Sequence, residues 1–272
     1  MREEASVIPD ATLETDLLIE ALSRTYGLDP GHYSPAACQA WAVELARATG
    51  ASSVYALIEK LVEDREFGAR AIEALSDEAV RLFDDPYYWR LLRERVLPWL
   101  RTTPFLSVWL PECGAGGAIY SWAVLLEEVG LTARTRIYAT DAKGEYVREA
   151  ARASFSSRVL ADAQKAYEAA GGTDSIIACF DVKEKRLDLT QRLRMQVTWL
   201  QFDPAQGESF NEFHFIDGRF LSAESPRHAF KLMVGSLPIS GLIALHPSYG
   251  RALMQHNLNF KEWQHGVYQR IA

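Results

Sequence analysis

Residues 108–130 read Val-Trp-Leu-Pro-Glu-Cys-Gly-Ala-Gly-Gly-Ala-Ile-Tyr-Ser-Trp-Ala-Val-Leu-Leu-Glu-Glu-Val-Gly, and residues 136–141 read Arg-Ile-Tyr-Ala-Thr-Asp. An apolar strand over 106–110 runs into a turn containing Gly114, Gly116 and Gly117. A helix over 120–129 follows, and a second strand over 135–139 leads to the acid Asp141. This order is that of a nucleotide-binding βαβ unit. Glycines let the backbone approach a ligand, a helix N-terminus offers free N–H groups, and an acid one unit later accepts ribose hydroxyls. A tight turn without a ligand is the bland alternative. The strand, helix and terminal acid in register favour a ligand.

Composition narrows the classes. The chain has 272 residues, 48% of them hydrophobic and 24% charged, which suits one large or two small globular domains with a sizeable core. A formal net charge of −7 argues against a general nucleic-acid binder, which needs surplus Lys and Arg. No apolar run nears the roughly twenty residues of a membrane span, and Met-Arg-Glu-Glu-Ala-Ser lacks a signal-peptide core, so a cytoplasmic protein without membrane insertion is expected. Cys38, Cys113 and Cys179 and the six histidines show no metal-ligand spacing, so no metal site is expected.

Around the glycine unit, residues 1–11 read as a flexible tail and 12–83 as an all-helical N-terminal domain. Its helices begin near Thr12, over 35–48, after a Ser52 or Ser53 cap, over 66–75, and after Ser76 or Asp77. Residues 84–104 form a linker helix begun by Pro86, with Asp84 and Asp85 as a capping pair and Tyr87, Tyr88 and Trp89 as core. A Rossmann-like domain over 105–272 then carries helices over 145–155 and 158–170. A small antiparallel β-insertion over about 173–196 is expected, with strands starting at Ile176, Leu187 and Leu193. A strand over 212–217, a helix over 226–234, and strands over 242–245 and 266–271 joined by a loop complete the chain. The fold class is α/β, a βα series closed by an antiparallel strand, preceded by helices.

In this order of parts the chain resembles the CheR-type chemotaxis receptor methyltransferases, from about Thr12 to the C-terminus. Residues 109–121 lie on that family's Trp-Ser-Ala-Ala-Cys-Ser-Thr-Gly-Glu-Glu-Pro-Tyr-Ser, 138–141 on its Ala-Thr-Asp strand end, and 266–268 on its last strand. The resemblance implies a class I fold that binds S-adenosylmethionine (SAM) or S-adenosylhomocysteine through Gly114, Ala115, Gly116, Asp141, Phe202 and Asp203. It also implies a protein partner, met through the β-subdomain. Bland readings stand beside two of these residues: Asp141 as a helix cap, and Asp203, before Pro204, as the start of a turn.

The departures from the family pattern bear on activity. Its Phe-Phe-Arg arginine falls on Asp84, and the first glutamate after the glycine turn falls on Gly117. Its Cys-Arg-Asn-Val-Leu-Ile-Tyr-Phe lies on 216–223, so that the arginine becomes Asp217 and the tyrosine Ser222. Methyl transfer to a carboxylate relies on cations and hydroxyls to align the acceptor, and Asp84 beside Asp217 repels a glutamate. The expected function is therefore a CheR-like homologue degenerate for methyl transfer, with no catalytic residue assigned, that acts in signalling or as a scaffold. The alternative is an active SAM-dependent protein methyltransferase with altered acceptor specificity.

Overall fold

A computed structural model describes residues 11–30, 33, 35–184, 186–208, 210, 212–221, 227–256, 259–264 and 266–272. Ser222 and most of the N-terminal tail lie outside the described residues. The chain forms two units that meet in sequence at Val80 and Arg81. In the first, apolar residues at helical spacing build α1 (Ala11–Tyr26), α2 (Pro35–Thr49), α3 (Val54–Glu63) and α4 (Arg65–Ala79). Ser53 caps α3 by accepting from Ala56 N at 3.2 Å, and Asp64 caps α4 by accepting from Phe67 N at 2.9 Å. One helix stands where two were expected. The Ser76 hydroxyl donates back to the Ile72 carbonyl at 3.0 Å and so stays inside α4 instead of capping a new helix. Leu18, Leu22, Trp41, Leu61 and Leu75 form the core of this unit.

The second unit opens with α5 (Pro86–Leu91), a π turn (Leu92–Val96) and α6 (Leu97–Leu100). Pro98 explains the π turn. It has no N–H for the Glu94 carbonyl and its ring crowds that carbonyl, so the helix widens upstream, with Leu97 N–H bonding to Leu92 O. Next come β1 (Leu106–Leu110), α7 (Gly117–Glu128), β2 (Thr135–Asp141), α8 (Gly144–Ala151), β3 (Ser154–Ser156) and α9 (Leu160–Ala169). Then follow β4 (Phe180–Lys183), β5 (Arg186–Leu189), α10 (Gln191–Arg194), β6 (Val197–Gln201), β7 (Phe215–Gly218) and α11 (Arg227–Gly235). The unit ends with β8 (Leu242–Leu245), α12 (Pro247–His256), β9 (Phe260–Gln264) and β10 (Val267–Arg270).

Seven strands form one sheet in the order β6-β2-β1-β7-β8-β10-β9, and three form a second in the order β3-β5-β4. The first five of the large sheet run parallel, and β10 is antiparallel to both neighbours. Because β1 leads out to β2 on one side and pairs with β7 on the other, the strand order reverses at β1/β7. A doubly wound sheet opens a ligand crevice at the carboxyl ends of its strands at such a point. Trp109, Phe213, Ile216, Ile243 and Tyr268 lie in a core cluster of this unit.

Several sequence expectations shift. The helix expected over 145–155 ends at Ala151, because Ala153 is left-handed (φ +52°), and Phe155 instead enters β3. The small sheet therefore takes its third strand from before α9. The strand expected from Leu193 is α10 followed by β6, which pairs with β2 in the large sheet. The strand expected from Ile176 begins only at Phe180, since Ile176–Cys179 is a 3-10 turn that buries Ile176 and exposes Ile177. The loop expected after Leu245 contains α12 and β9, whose mixed sequence Phe-Lys-Glu-Trp-Gln alternates too weakly to read as a strand. No helix among the described residues is long and apolar enough to cross a membrane.

Candidate functional site

The carboxyl ends of β1 and β2 are tied together first. Trp109 Nε1 donates to Thr140 Oγ1 at 3.0 Å, Thr140 Oγ1 donates to the Pro111 carbonyl at 3.1 Å, and Cys113 N donates to the Thr140 carbonyl at 2.8 Å. From this anchor the chain turns back, with Gly116 N bonding to Cys113 O at 2.9 Å. Gly114 (φ +47°) and Gly116 (φ +93°) adopt backbone angles that suit glycine, with Ala115 between them. A Cβ on Gly116 would lie 2.6 Å from the Tyr120 ring, which is buried against the turn with its hydroxyl on the Ala150 carbonyl. Gly116 caps the 12-residue α7, whose first-turn N–H groups form the positive end of the helix.

Asp141 closes β2 and is 8% exposed. Its Oδ1 accepts from Lys143 N at 3.0 Å, and the Cys113 thiol approaches its Oδ2 at 3.8 Å. Burial, then the Asp141 charge, push the Cys113 thiol far above its ordinary range, so it stays protonated as a weak donor to the carboxylate. A carboxylate with four lone-pair sites can accept further bonds from a vicinal diol. Phe202 N donates to the Asp141 carbonyl at 2.9 Å, and the Phe202 ring stacks on Phe210 at 4.5 Å and meets Trp109 edge-on. Gly114, Ala115, Gly116, Asp141 and Phe202 thus share one neighbourhood. The Asp203 carboxylate, next along the chain, accepts from Ala205 N at 2.8 Å and Gln206 Nε2 at 2.7 Å, closing its own turn.

Beside this turn, at the end of β7, lies a charged cluster that sequence reasoning missed. Asp217 has a fully buried side chain and accepts from Trp122 Nε1 on α7 at 3.0 Å. Arg219 Nε donates to Asp217 Oδ1 at 2.9 Å, and Arg219 Nη1 lies 3.6 Å from Asp84 Oδ2. The guanidinium stacks on the Tyr88 ring at 3.5 Å, and Trp89 Nε1 donates to Asp84 Oδ1 at 2.9 Å. Burial opposes the charge on Arg219, but Asp217 and Asp84 outweigh it and hold the guanidinium above its ordinary pKa. The Tyr88 hydroxyl is buried without a hydrogen bond of good geometry, and its pKa is raised well above the usual value by burial and by the nearby Asp217 charge.

These contacts revise two sequence expectations. Only Asp85 caps α5, accepting from Tyr87 N and Tyr88 N, each at 3.1 Å, whereas Asp84 belongs to the charge cluster. Nor do Asp84 and Asp217 face an incoming group as two bare charges, because Arg219 stands between them. The signal was the Asp-Gly-Arg run at 217–219, at the end of a buried strand, where a cation two residues from an acid folds back onto it. Of the tyrosine-tryptophan run, Tyr88 and Trp89 are core while Tyr87 is exposed.

The fold order, the strand-end acid and the glycine turn define a class I SAM-dependent methyltransferase domain. Residues 79–192 match the family described as CheR methyltransferase, SAM binding domain. A Pseudomonas putida protein named "Putative methyltransferase Cher3" is 30% identical over 207 residues, which cover 76% of each chain. The chain therefore belongs to the CheR methyltransferase family, and SAM is the cofactor of its matched domain. Among solved structures, a Listeria monocytogenes protein assigned to the class I SAM-dependent methyltransferases is 8% identical with a TM-score of 0.40, covering 96% of this chain and 89% of its own. The DszA carbon methyltransferase is 15% identical with a TM-score of 0.33, over 86% of this chain and 47% of its own, so this chain spans about half that structure. Likeness at that level carries no weight for function.

Proposed function

We propose that this CheR-family protein holds SAM or S-adenosylhomocysteine at the β1–α7 turn, has given up methyl transfer to glutamate, and serves in the cytoplasm as a signalling or scaffold protein for a protein partner. The observation that supports this most is the self-paired cluster of Asp84, Arg219 and Asp217. SAM, when bound, supplies an electrophilic methyl on a sulfonium, so the protein's task is to align an acceptor. A carboxylate acceptor needs a cation with a donor to spare. Here the guanidinium stacks on Tyr88 and faces two internal carboxylates, and two such acids to one arginine leave a formal negative charge.

On the cofactor side, Gly114, Ala115 and Gly116 admit the ligand close to the backbone. Asp141 accepts the ribose hydroxyls, and Phe202 offers apolar surface toward the base. Asp203, closing its own turn, fixes the loop after β6 that carries Phe202. For the partner, the outer edge of β4 suits strand addition, with Val182 54% exposed along it. Calorimetric titration with SAM and with S-adenosylhomocysteine, alongside a methyl-transfer assay on glutamate-bearing receptor proteins, tests the reading. Saturable binding without transfer is expected, and robust turnover would overturn it. The surplus negative charge favours a second reading, an active enzyme for a neutral or cationic acceptor. In that case Asp217→Ala abolishes a measurable activity.

A further inference from the structure

The three charges of the cluster are layered from the inside outward. The Asp217 side chain is 0% exposed, that of Arg219 13%, and that of Asp84 26%. The inner side of the guanidinium is taken by Asp217, to which Nε and Nη2 donate, and its plane stacks on the Tyr88 ring at 3.5 Å, with the Phe220 ring 4.8 Å away. An outside anion approaching Nη1 therefore meets the Asp84 carboxylate first. Asp84 is also aimed there by the backbone. Phe83, immediately before it, is left-handed (φ +53°), an uncommon conformation for a bulky residue. It is held by full burial, by Ser121 Oγ accepting from Phe83 N at 2.8 Å, and by edge contacts with Trp89 and Tyr167. Asp85 then fixes the next peptide as the α5 cap, and Trp89 Nε1 holds Asp84 Oδ1.

We infer that Asp84 is an internal occupant of the seat that Arg219 would otherwise offer to an external carboxylate, and so is the residue that sets the specificity of this site against acidic acceptors. The inference rests on reading the cluster as the acceptor end of the site. Its geometry is that of a substrate mimic tethered in the chain. One guanidinium edge is committed to a buried structural acid, and the other is matched by a carboxylate that sits at ion-pair distance and remains partly exposed. Removing the Asp84 charge leaves Asp217 and Arg219 as a neutral pair with a guanidinium edge open toward solvent.

The test uses the full chain with N-acetylglutamate α-amide as probe, followed by calorimetry and by the side-chain Nε–H resonance of Arg219. The parent protein is expected to show no saturable binding. Asp84→Asn is expected to bind the probe at least tenfold more tightly and to move the Arg219 resonance, and Asp84→Asn combined with Arg219→Met is expected to lose the gain. Asp84→Glu, which keeps the charge, stays as blind as the parent. Should Asp84→Asn fail to melt cooperatively, Asp84→Ser, which also removes the charge, carries the same comparison. Equal blindness of the parent and the neutral variants, or a gain that survives loss of Arg219, overturns the inference. A parent that binds SAM and stays inert while the neutral variants remain blind sinks only this inference. A parent that binds no SAM, with neutral variants that do capture the probe, sinks only the functional reading.

Discussion

Two neighbourhoods share the carboxyl edge of one sheet and treat their polar groups in opposite ways. On the proposed reading, β1 and β2 present a ligand with left-handed glycines, the first turn of α7, and Asp141, whose carboxylate accepts from Lys143 N and is approached by the Cys113 thiol. At β7 the chain has turned its charges on one another, so that Asp217, Arg219 and Asp84 satisfy themselves with help from two indoles. On that reading, the cofactor half of the site stays open to a ligand while the acceptor half has become structure. Stability and ligand binding should therefore depend on different residues.

The largest effect is expected where a charge cluster loses its cation. Arg219→Met leaves the buried Asp217 carboxylate uncompensated, and urea unfolding should register a loss of about 3–5 kcal/mol. A loss under about 1 kcal/mol would erase the contrast by showing that the cluster is not structural. On the other side, Asp141→Asn should weaken S-adenosylhomocysteine binding by about ten- to a hundredfold, the scale of a charged hydrogen-bond acceptor, with little change in melting temperature. If melting falls and affinity does not, Asp141 is a helix cap only.

How much of this contrast was legible in the sequence follows from the range of the interactions involved. The glycine turn and Asp141 announce themselves because their chemistry is local: a strand, a turn needing positive φ, and an acid at the next strand end. The buried strands β1, β2, β7 and β8 were legible from their apolar residues, whereas the parallel edge strand β6 was read into the small sheet. The charge cluster was not legible, because it joins Asp84 to Arg219, just past β7 and 135 positions later, and hides behind Tyr88 and Trp89, which read as ordinary core. The small sheet was misdrawn for the same reason, its third strand being a three-residue segment released by the strained Ala153 and not a neighbour in sequence. The mixed edge strand β9 was invisible to periodicity.

Smaller tests sharpen the comparison. Gly116→Ala forces a side chain into φ +93° and against the Tyr120 ring, so a cost of about 1–3 kcal/mol in thermal unfolding is expected, together with weakened cofactor binding. An unchanged variant would mean that the turn relaxes freely. Tyr88→Phe removes a buried hydroxyl that lacks a well-formed hydrogen bond while keeping the ring under Arg219, and stability should move by no more than about 1 kcal/mol. A larger loss would show that the hydroxyl is bonded to Asp217 in solution.

The most direct measurement is a crystal structure of the full chain with S-adenosylhomocysteine. The account predicts adenosyl density between Gly116 and Asp141, with the Arg219 guanidinium still on Asp217 and Asp84. An empty turn at saturating ligand, or an Arg219 swung away from both acids toward the ligand, would contradict it.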